Sequence, residues 1–397
     1  MSKPTLILDI GTTTISGAVL DKRSGRILAC DSILNGQTKF GDDLISRIDF
    51  ALKAKKNADR LHDAAASSIN KLLVKLLKRT KKDSCKIEEA FCVCNTGMHH
   101  LFLGIDPAPL VTPPYRAAQK SAITVYAGRT GLRLDKNCPI TFLPNIGGFV
   151  GSDALAVIIS SGIYKSKHTK LAIDIGTNGE LILGNKDNIL VASTAAGPAF
   201  EARHISCGMG AQEGAIKSVR IKTKGIEFKV IGGASPKGIC GSGLIDAVSG
   251  MLKAGLMDNS GRMKKDEFII YKKGGVKVSV TQKDIRKLQL AKAAIYAAIK
   301  VLLRRSGIED DDIKEVLITG AFGNTLNADS IVSIGLIPKI EGNIIRFLPR
   351  GALEGLRLYL TEPSLEKNIT SILSRTTHIP LLGKGFGEEF ASSLFLG

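Results

Sequence analysis

The sequence of 397 residues predicts an α/β protein made of two duplicated lobes around a central cleft. Three observations carry that prediction. A short apolar strand that ends in a carboxylate and a glycine turn opens the chain as Leu6-Ile7-Leu8-Asp9-Ile10-Gly11-Thr12. The same pattern returns about 165 residues later as Leu171-Ala172-Ile173-Asp174-Ile175-Gly176-Thr177, and such a repeat marks two similar half-proteins. Each copy then runs into a turn and further apolar strands, with helix-periodic stretches elsewhere in each half. At roughly 100–200 residues per domain the length suits two or three domains, enough chain to bury two cores. The lobes are expected at 1–165 and 166–397.

The elements follow in order. Residues 6–9, 15–21 and 27–30 are apolar strands, separated by the turns Gly11-Thr12-Thr13-Thr14 and Ser24-Gly25. A helical insert spans about 42–82, where Leu61, Ala65, Ile69, Leu72, Leu73 and Leu76 recur at spacings of three and four. Residues 90–94 form a strand with Cys92 and Cys94 on one face. The four prolines of 104–116 predict an irregular, extended crossing. A helix is expected over 152–163. In the second half, Gly241-Ser242-Gly243 opens a helix to about 256, and Thr281 with Asp284 has the form of a capping box for a helix reaching 305. A strand at 316–319 runs into Gly320-Ala321-Phe322-Gly323-Asn324. A strand at 344–348 and a helix at 353–360 close this half, and the tail from 361 packs back on the body.

Composition excludes several classes. Apolar residues are 44% and charged residues 23% of the chain, an ordinary globular mix. No apolar run reaches the ~18–20 residues of a membrane span, and no basic leader or cleavage site precedes the first strand, so the sequence reads as cytoplasmic. The seven cysteines are scattered with no C-x-x-C, which signals neither a disulfide framework nor a protein-bound iron–sulfur or zinc site. The net charge is +18, with ten Lys or Arg against two Asp between 53 and 82. That stretch reads first as a solvated helix face and second as a surface for an acidic protein. Nucleic acid is disfavoured, because no aromatic residues interleave with the lysines.

The chemistry lies in the repeated turns. Backbone N–H groups and the hydroxyls of Thr12 and Thr13 suit phosphate oxygens, and Asp9 suits a hydrated Mg²⁺, which takes oxygen ligands. Asp174 with Gly176, Thr177, Asn178 and Gly179 supplies the same set from the other lobe. Two such loops make a clamp for a polyphosphate. Gly320 to Asn324 would let a flat adenosine approach the backbone, with Gly241, Ser242 and Gly243 as the opposite wall. Asp153, at the start of a helix, is a candidate for orienting water or for capping that helix. Glu180 follows the second loop and is expected to face solvent. His99, His100 and His204 read as structural groups before metal ligands.

This order resembles the superfamily of sugar kinases, actin, acetate kinase and heat-shock chaperone ATPases, hence actin-like, ribonuclease H-like ATPase lobes. Within it the chain is most similar to the ATP-dependent reductive activators of corrinoid proteins. The resemblance rests on Asn35-Gly36-Gln37, Phe40-Gly41-Asp42-Asp43-Leu44-Ile45-Ser46-Arg47-Ile48, Met98-His99-His100, Leu143-Pro144-Asn145 with Gly147 to Asp153, Gly197-Pro198-Ala199-Phe200-Glu201, Gly208-Met209-Gly210-Ala211 and Cys240-Gly241-Ser242-Gly243.

It implies ATP and Mg²⁺ as cofactors, Asp9 and Asp174 as organisers of the metal's waters and Asp153 as the water-orienting carboxylate. The implied partner is a corrinoid protein cycled from Co(II) to Co(I) within a methyltransferase system. Family members usually carry a ferredoxin-like cluster domain. No cysteine constellation for one stands here, so a separate low-potential iron–sulfur donor is implied. A homodimer is allowed for. Phe347-Leu348-Pro349-Arg350-Gly351 departs from the family's usual Gly-Asn before the last helix. Cys240 resembles a cluster cysteine of the dehydratase-activating ATPases, but Cys207 does not match their spacing. The alternatives are a nucleotide-dependent scaffold or sensor without turnover, a small-molecule kinase and a dehydratase-activating ATPase.

Overall fold

The computed structural model describes residues 4–80, 87–320, 326–339 and 344–397. The chain forms two compact units. One is Met1–Lys167 with Gly184–Val191 and Arg350–His378, and the other is His168–Leu183 with Ala192–Pro349 and Ile379–Gly397.

In the first unit β1 (Pro4–Ile10), β2 (Thr14–Asp21) and β3 (Arg26–Leu34) form an antiparallel meander. β1 also pairs in parallel with β4 (Glu89–Cys94). β5 (Ile123–Tyr126) and β6 (Pro139–Phe142) complete a six-stranded sheet of order β3-β2-β1-β4-β6-β5. The expected helical insert is two helices, α1 (Leu44–Lys53) and α2 (Lys55–Arg79). On α2 the leucines, alanines and isoleucine of the periodic pattern are buried, and Lys71, Lys75 and Lys78 are exposed on the opposite face. α3 (Thr96–Leu103) follows β4, capped by the Asn95 side chain on the Met98 N–H. The proline-rich crossing contains one short helical turn, α4 (Ala108–Val111). α5 (Ser152–Ser161) ends this half of the sequence.

The second sheet repeats the plan. β7 (Lys170–Ile175), β8 (Gly179–Gly184) and β9 (Ile189–Thr194) are sequential neighbours, and the full order is β16-β15-β7-β8-β9-β17. Between β9 and β15 the chain builds strands that the expected order of elements omits. They are a small sheet of β10 (Ala215–Lys222), β11 (Gly225–Val230) and β12 (Gly238–Ile239), and a hairpin of β13 (Glu267–Lys273) and β14 (Val276–Thr281). α6 (Gly241–Lys253) and α7 (Gln282–Ser306) lie where the sequence places them. β15 (Glu315–Gly320) pairs in parallel with both β7 and β16 (Ile345–Phe347). α8 (Ala328–Ser333), α9 (Gly351–Thr361), α10 (Pro363–Ser374), β17 (Thr376–His378) and α11 (Lys384–Ser392) complete the chain.

Each unit has its own apolar core: Leu6, Leu8 and Ile48 are buried in the first, Ile173, Leu181 and Ile318 in the second. Among the described residues no helix is long and apolar enough to cross a membrane.

Candidate functional site

In the first unit the loop after β1 is held by its carbonyls, each of which has a donor. Gly11 N–H donates to the Thr14 carbonyl at 3.1 Å, closing the turn. The Asn35 amide donates to the Gly11 carbonyl at 2.9 Å. Arg47 Nη1 donates to the Thr12 carbonyl at 2.6 Å, and Asn35 N–H to the Thr13 carbonyl at 2.8 Å. The Asn95 amide reaches Thr12 Oγ1 at 2.9 Å. In a planar trans peptide the C=O and the next N–H point in opposite directions. Drawing the Gly11 and Thr12 carbonyls back therefore turns the Thr12 and Thr13 N–H groups away from those donors. Asp9, half-buried at the end of β1, stands beside this loop.

Asp153 belongs to the same neighbourhood. The position before α5 is filled by Gly151, and Asp153 lies in the first turn with Oδ1 accepting from Ala154 N–H at 2.7 Å. It is thus not the N-cap, although a carboxylate in a first turn still suits the helix dipole. Burial pushes the Cys94 thiol far up, and Asp153 and Asp9 both add to the shift, so both carboxylates bear on one point at the strand ends. Cys92 is likewise pushed up by burial. Both thiols are fully buried and protonated, as small core residues are.

The second unit builds its loop from different supports. Gly176 N–H donates to the Asn178 carbonyl at 3.0 Å and Gly197 N–H to the Thr177 carbonyl at 2.8 Å. Thr177 Oγ1 donates to Glu201 Oε1 at 3.4 Å. Burial raises the Asp174 carboxyl to about 6. Its neighbour is the end of β15: Gly320 has φ +111°, and a Cβ there would sit 2.8 Å from Asp174 Oδ1 and 2.3 Å from the Ile175 carbonyl. Only glycine lets that strand end pass so close. Glu180 does not face solvent. It is buried on the sheet, with Ser193 Oγ donating to it at 3.3 Å, because β8 is covered on both faces along 179–183. Ala321, Phe322, Gly323 and Asn324 lie outside the described residues.

Gly241, Ser242 and Gly243 form the buried first turn of α6. Ser242 Oγ donates to the Lys217 carbonyl at 2.8 Å, and Cys240 N–H to the Ile216 carbonyl at 3.1 Å, so this turn is tied to β10. Asp246, further along α6, accepts from Ser330 Oγ at 2.7 Å, and burial raises its carboxyl. Cys207 and Cys240 lie on segments joined by a backbone bond, Ile239 N–H to the Cys207 carbonyl at 2.8 Å.

His99 and His100 are fully buried core residues. His100 Nδ1 donates to the Thr96 carbonyl at 2.7 Å while its Nε2 accepts from Ala118 N–H at 3.1 Å, which fixes the neutral tautomer. His99 packs edge-on to Phe142 at 5.5 Å between ring centroids.

Asn35, Arg47, Asn95 and Glu201 thus brace the two loops, a role that the turn motifs alone do not assign to them. Asn35 and Asn95 stand at element junctions, just past β3 and at the N-cap of α3, and no local pattern marks them, Arg47 or Glu201 as supports.

Comparison with known proteins assigns these parts. A model of the RACo middle region matches residues 5–166, and a model of the C-terminal ASKHA (actin-like) domain of RACo matches residues 168–397. The chain belongs to the RACo family. It is 37% identical over 401 residues to the corrinoid activation enzyme RamQ of Eubacterium limosum, covering 95% of this chain and 67% of that protein. It is 26% identical over 374 residues to a Co(II) methylated amine-specific corrinoid protein reductase of Methanosarcina barkeri, covering 86% and 67%. A solved reductive activator for corrinoid, iron–sulfur protein superposes with a TM-score of 0.93 at 34% identity, over 100% of this chain and 66% of that one. The RACo-family chain thus spans about two thirds of the length of these relatives, and its fold is the actin-like α/β fold that the resemblance implies.

Proposed function

We propose that this chain binds MgATP and hydrolyses it to drive the Co(II)-to-Co(I) reduction of a corrinoid methyl-carrier protein. The electron for that step comes from a low-potential iron–sulfur centre. The observation that carries the reading is the pair of aspartate-ended loops, Asp9 with Gly11 to Thr13 and Asp174 with Gly176 to Gly179, in a chain of the RACo family.

The residues fit the cofactor chemically. The first loop offers N–H groups from a peptide run whose carbonyls are drawn back, and the Asp174 carboxyl is costly to ionise until a cation relieves it. Mg²⁺, when bound, neutralises phosphate charge. The Thr12 and Thr13 amides would hold phosphate oxygens, Asp9 and Asp174 would fix the metal's waters, and Asp153 would orient the attacking water. Phosphoryl transfer asks for placement and electrostatics more than covalent chemistry. Adenosine would contact Gly320 to Asn324 and Gly241 to Gly243.

The test mixes the protein with MgATP, a Co(II) corrinoid protein and a chemical reductant and follows the cobalt absorption. Co(I) is expected only with ATP, with stoichiometric ADP. Asp9→Ala or Asp174→Ala should cut ADP release by about 100-fold. Tight nucleotide binding without ADP or Co(I) would replace this reading with the scaffold.

A further inference from the structure

We infer that Arg47 is a positioning residue that sets the anion affinity of the first loop from behind, an inference that rests on the nucleotide reading above. Arg47 stands on α1 with its side chain wholly inside the protein. Taking a guanidinium out of water carries a heavy desolvation cost. It bonds to backbone carbonyls: Nη1 to Thr12 at 2.6 Å and Nε to Gly41 at 2.9 Å. Gln37 Oε1 lies 3.4 Å from Nη1, and Met98 Sδ 3.7 Å.

A neutral amide could satisfy a carbonyl at smaller desolvation cost. What arginine adds is a permanent charge and a rigid fork. The fork fixes the Thr12 carbonyl, and the charge polarises the peptide that joins Thr12 to Thr13. A peptide whose oxygen is bound by a cation is a stronger donor at its N–H, because hydrogen bonds in a chain strengthen one another at low dielectric. The Thr13 N–H is on the opposite side of that peptide from Arg47. Burial also protects the field from salt. Neither loop carries a Lys or Arg of its own, from Asp9 to Thr14 or from Asp174 to Gly179, so Arg47 supplies positive charge to a loop that has none in its own sequence.

The test compares adenosine, ADP and ATP binding by calorimetry, with Mg²⁺, on the full chain. Arg47→Gln keeps a donor and removes the charge. Gln37→Glu leaves Arg47 in place and sets a carboxylate against its guanidinium, giving up the Gln37 bond to the Leu61 carbonyl. Both should weaken ATP by about tenfold while adenosine stays within about twofold, and Arg47→Lys should recover part of the loss. A purely structural role would lower the melting temperature and leave the ATP-to-adenosine ratio alone. An unchanged ratio in folded Arg47→Gln overturns the inference. If that variant does not fold, an unchanged ratio in Gln37→Glu overturns it. Wild-type protein that binds no ATP would sink the nucleotide reading itself, whereas wild-type binding with unmoved ratios sinks only the role of Arg47.

Discussion

Asp174 is the residue whose chemistry is most open to measurement. Its carboxyl is raised by burial from 3.8 to about 6. The folded protein then holds more protons than the unfolded chain between those values, so this group makes stability fall as pH rises through that window. Above pH 6 the ionised carboxylate stays costly. Asp174→Asn should therefore melt higher than wild type at pH 8 without divalent ions, by about 2 °C or more, and lose its advantage below pH 4. The same variant should show no Mg²⁺-dependent gain on adding ATP. A scanning-fluorimetry series over pH reads both. His99 acts in the opposite sense. Burial and His100 lower it to about 4, so the unfolded chain takes up a proton first and stability falls as pH drops from 6.5 to 4, by up to about 1.4 kcal/mol per pH unit. His99→Phe, which keeps the packing on Phe142, should flatten that acid limb. Asp9, Asp153 and Asp174 are legible in the sequence at strand and helix ends, because turn chemistry is local. Arg47, Asn35 and Asn95 are not legible as supports, because their partners in the loop lie 24 to 83 residues away.

Among the elements, α7 is the most legible. The Thr281–Asp284 capping box is formed, with Asp284 Oδ2 accepting from Thr281 N–H at 2.9 Å. The structure adds that Asp284 Oδ1 also accepts from Ser206 N–H at 2.9 Å, so one carboxylate caps the helix and anchors the segment that carries Glu201. Asp284→Ala should cost about 2 kcal/mol in urea unfolding, more than Thr281→Val, which should cost about 1 kcal/mol. β5, β6 and the β10–β14 strands are absent from the expected order of elements. β5 and β6 are four residues each. β11 alternates exposed and half-buried positions without a fully buried one, and β13 has just one buried residue. β11 and β14 nonetheless alternate apolar and polar residues, Ile226-Glu227-Phe228-Lys229-Val230 and Val276-Lys277-Val278-Ser279-Val280, a period-two strand signal that lies away from the glycine-turn motifs.

At the scale of the whole molecule, α9 decides how the chain closes. The order of elements along the sequence predicts that the helix near 353–360 finishes the second half. Arg350–His378 instead group with Met1–Lys167, and α9 lies against α5 so closely that a Cβ on Gly355 would fall 1.9 Å from the Ala156 carbonyl. Gly355→Val should cost about 3 kcal/mol or more, read as a lower thermal midpoint. Ile379–Gly397 belong with the second unit, where Gln289 Nε2 donates to the Leu394 carbonyl at 2.8 Å and buried Lys292 donates to those of Gly335 and Phe395.

The sequence by itself determined the fold class, the duplication and the two aspartate-ended turns, since apolar periodicity and glycine turns act over a few residues. Only the tertiary structure decided which buried polar groups brace those turns, that Glu180 is covered, and where α9 packs. Each of these depends on contacts between segments far apart in the chain, and local pattern carries no information about such meetings.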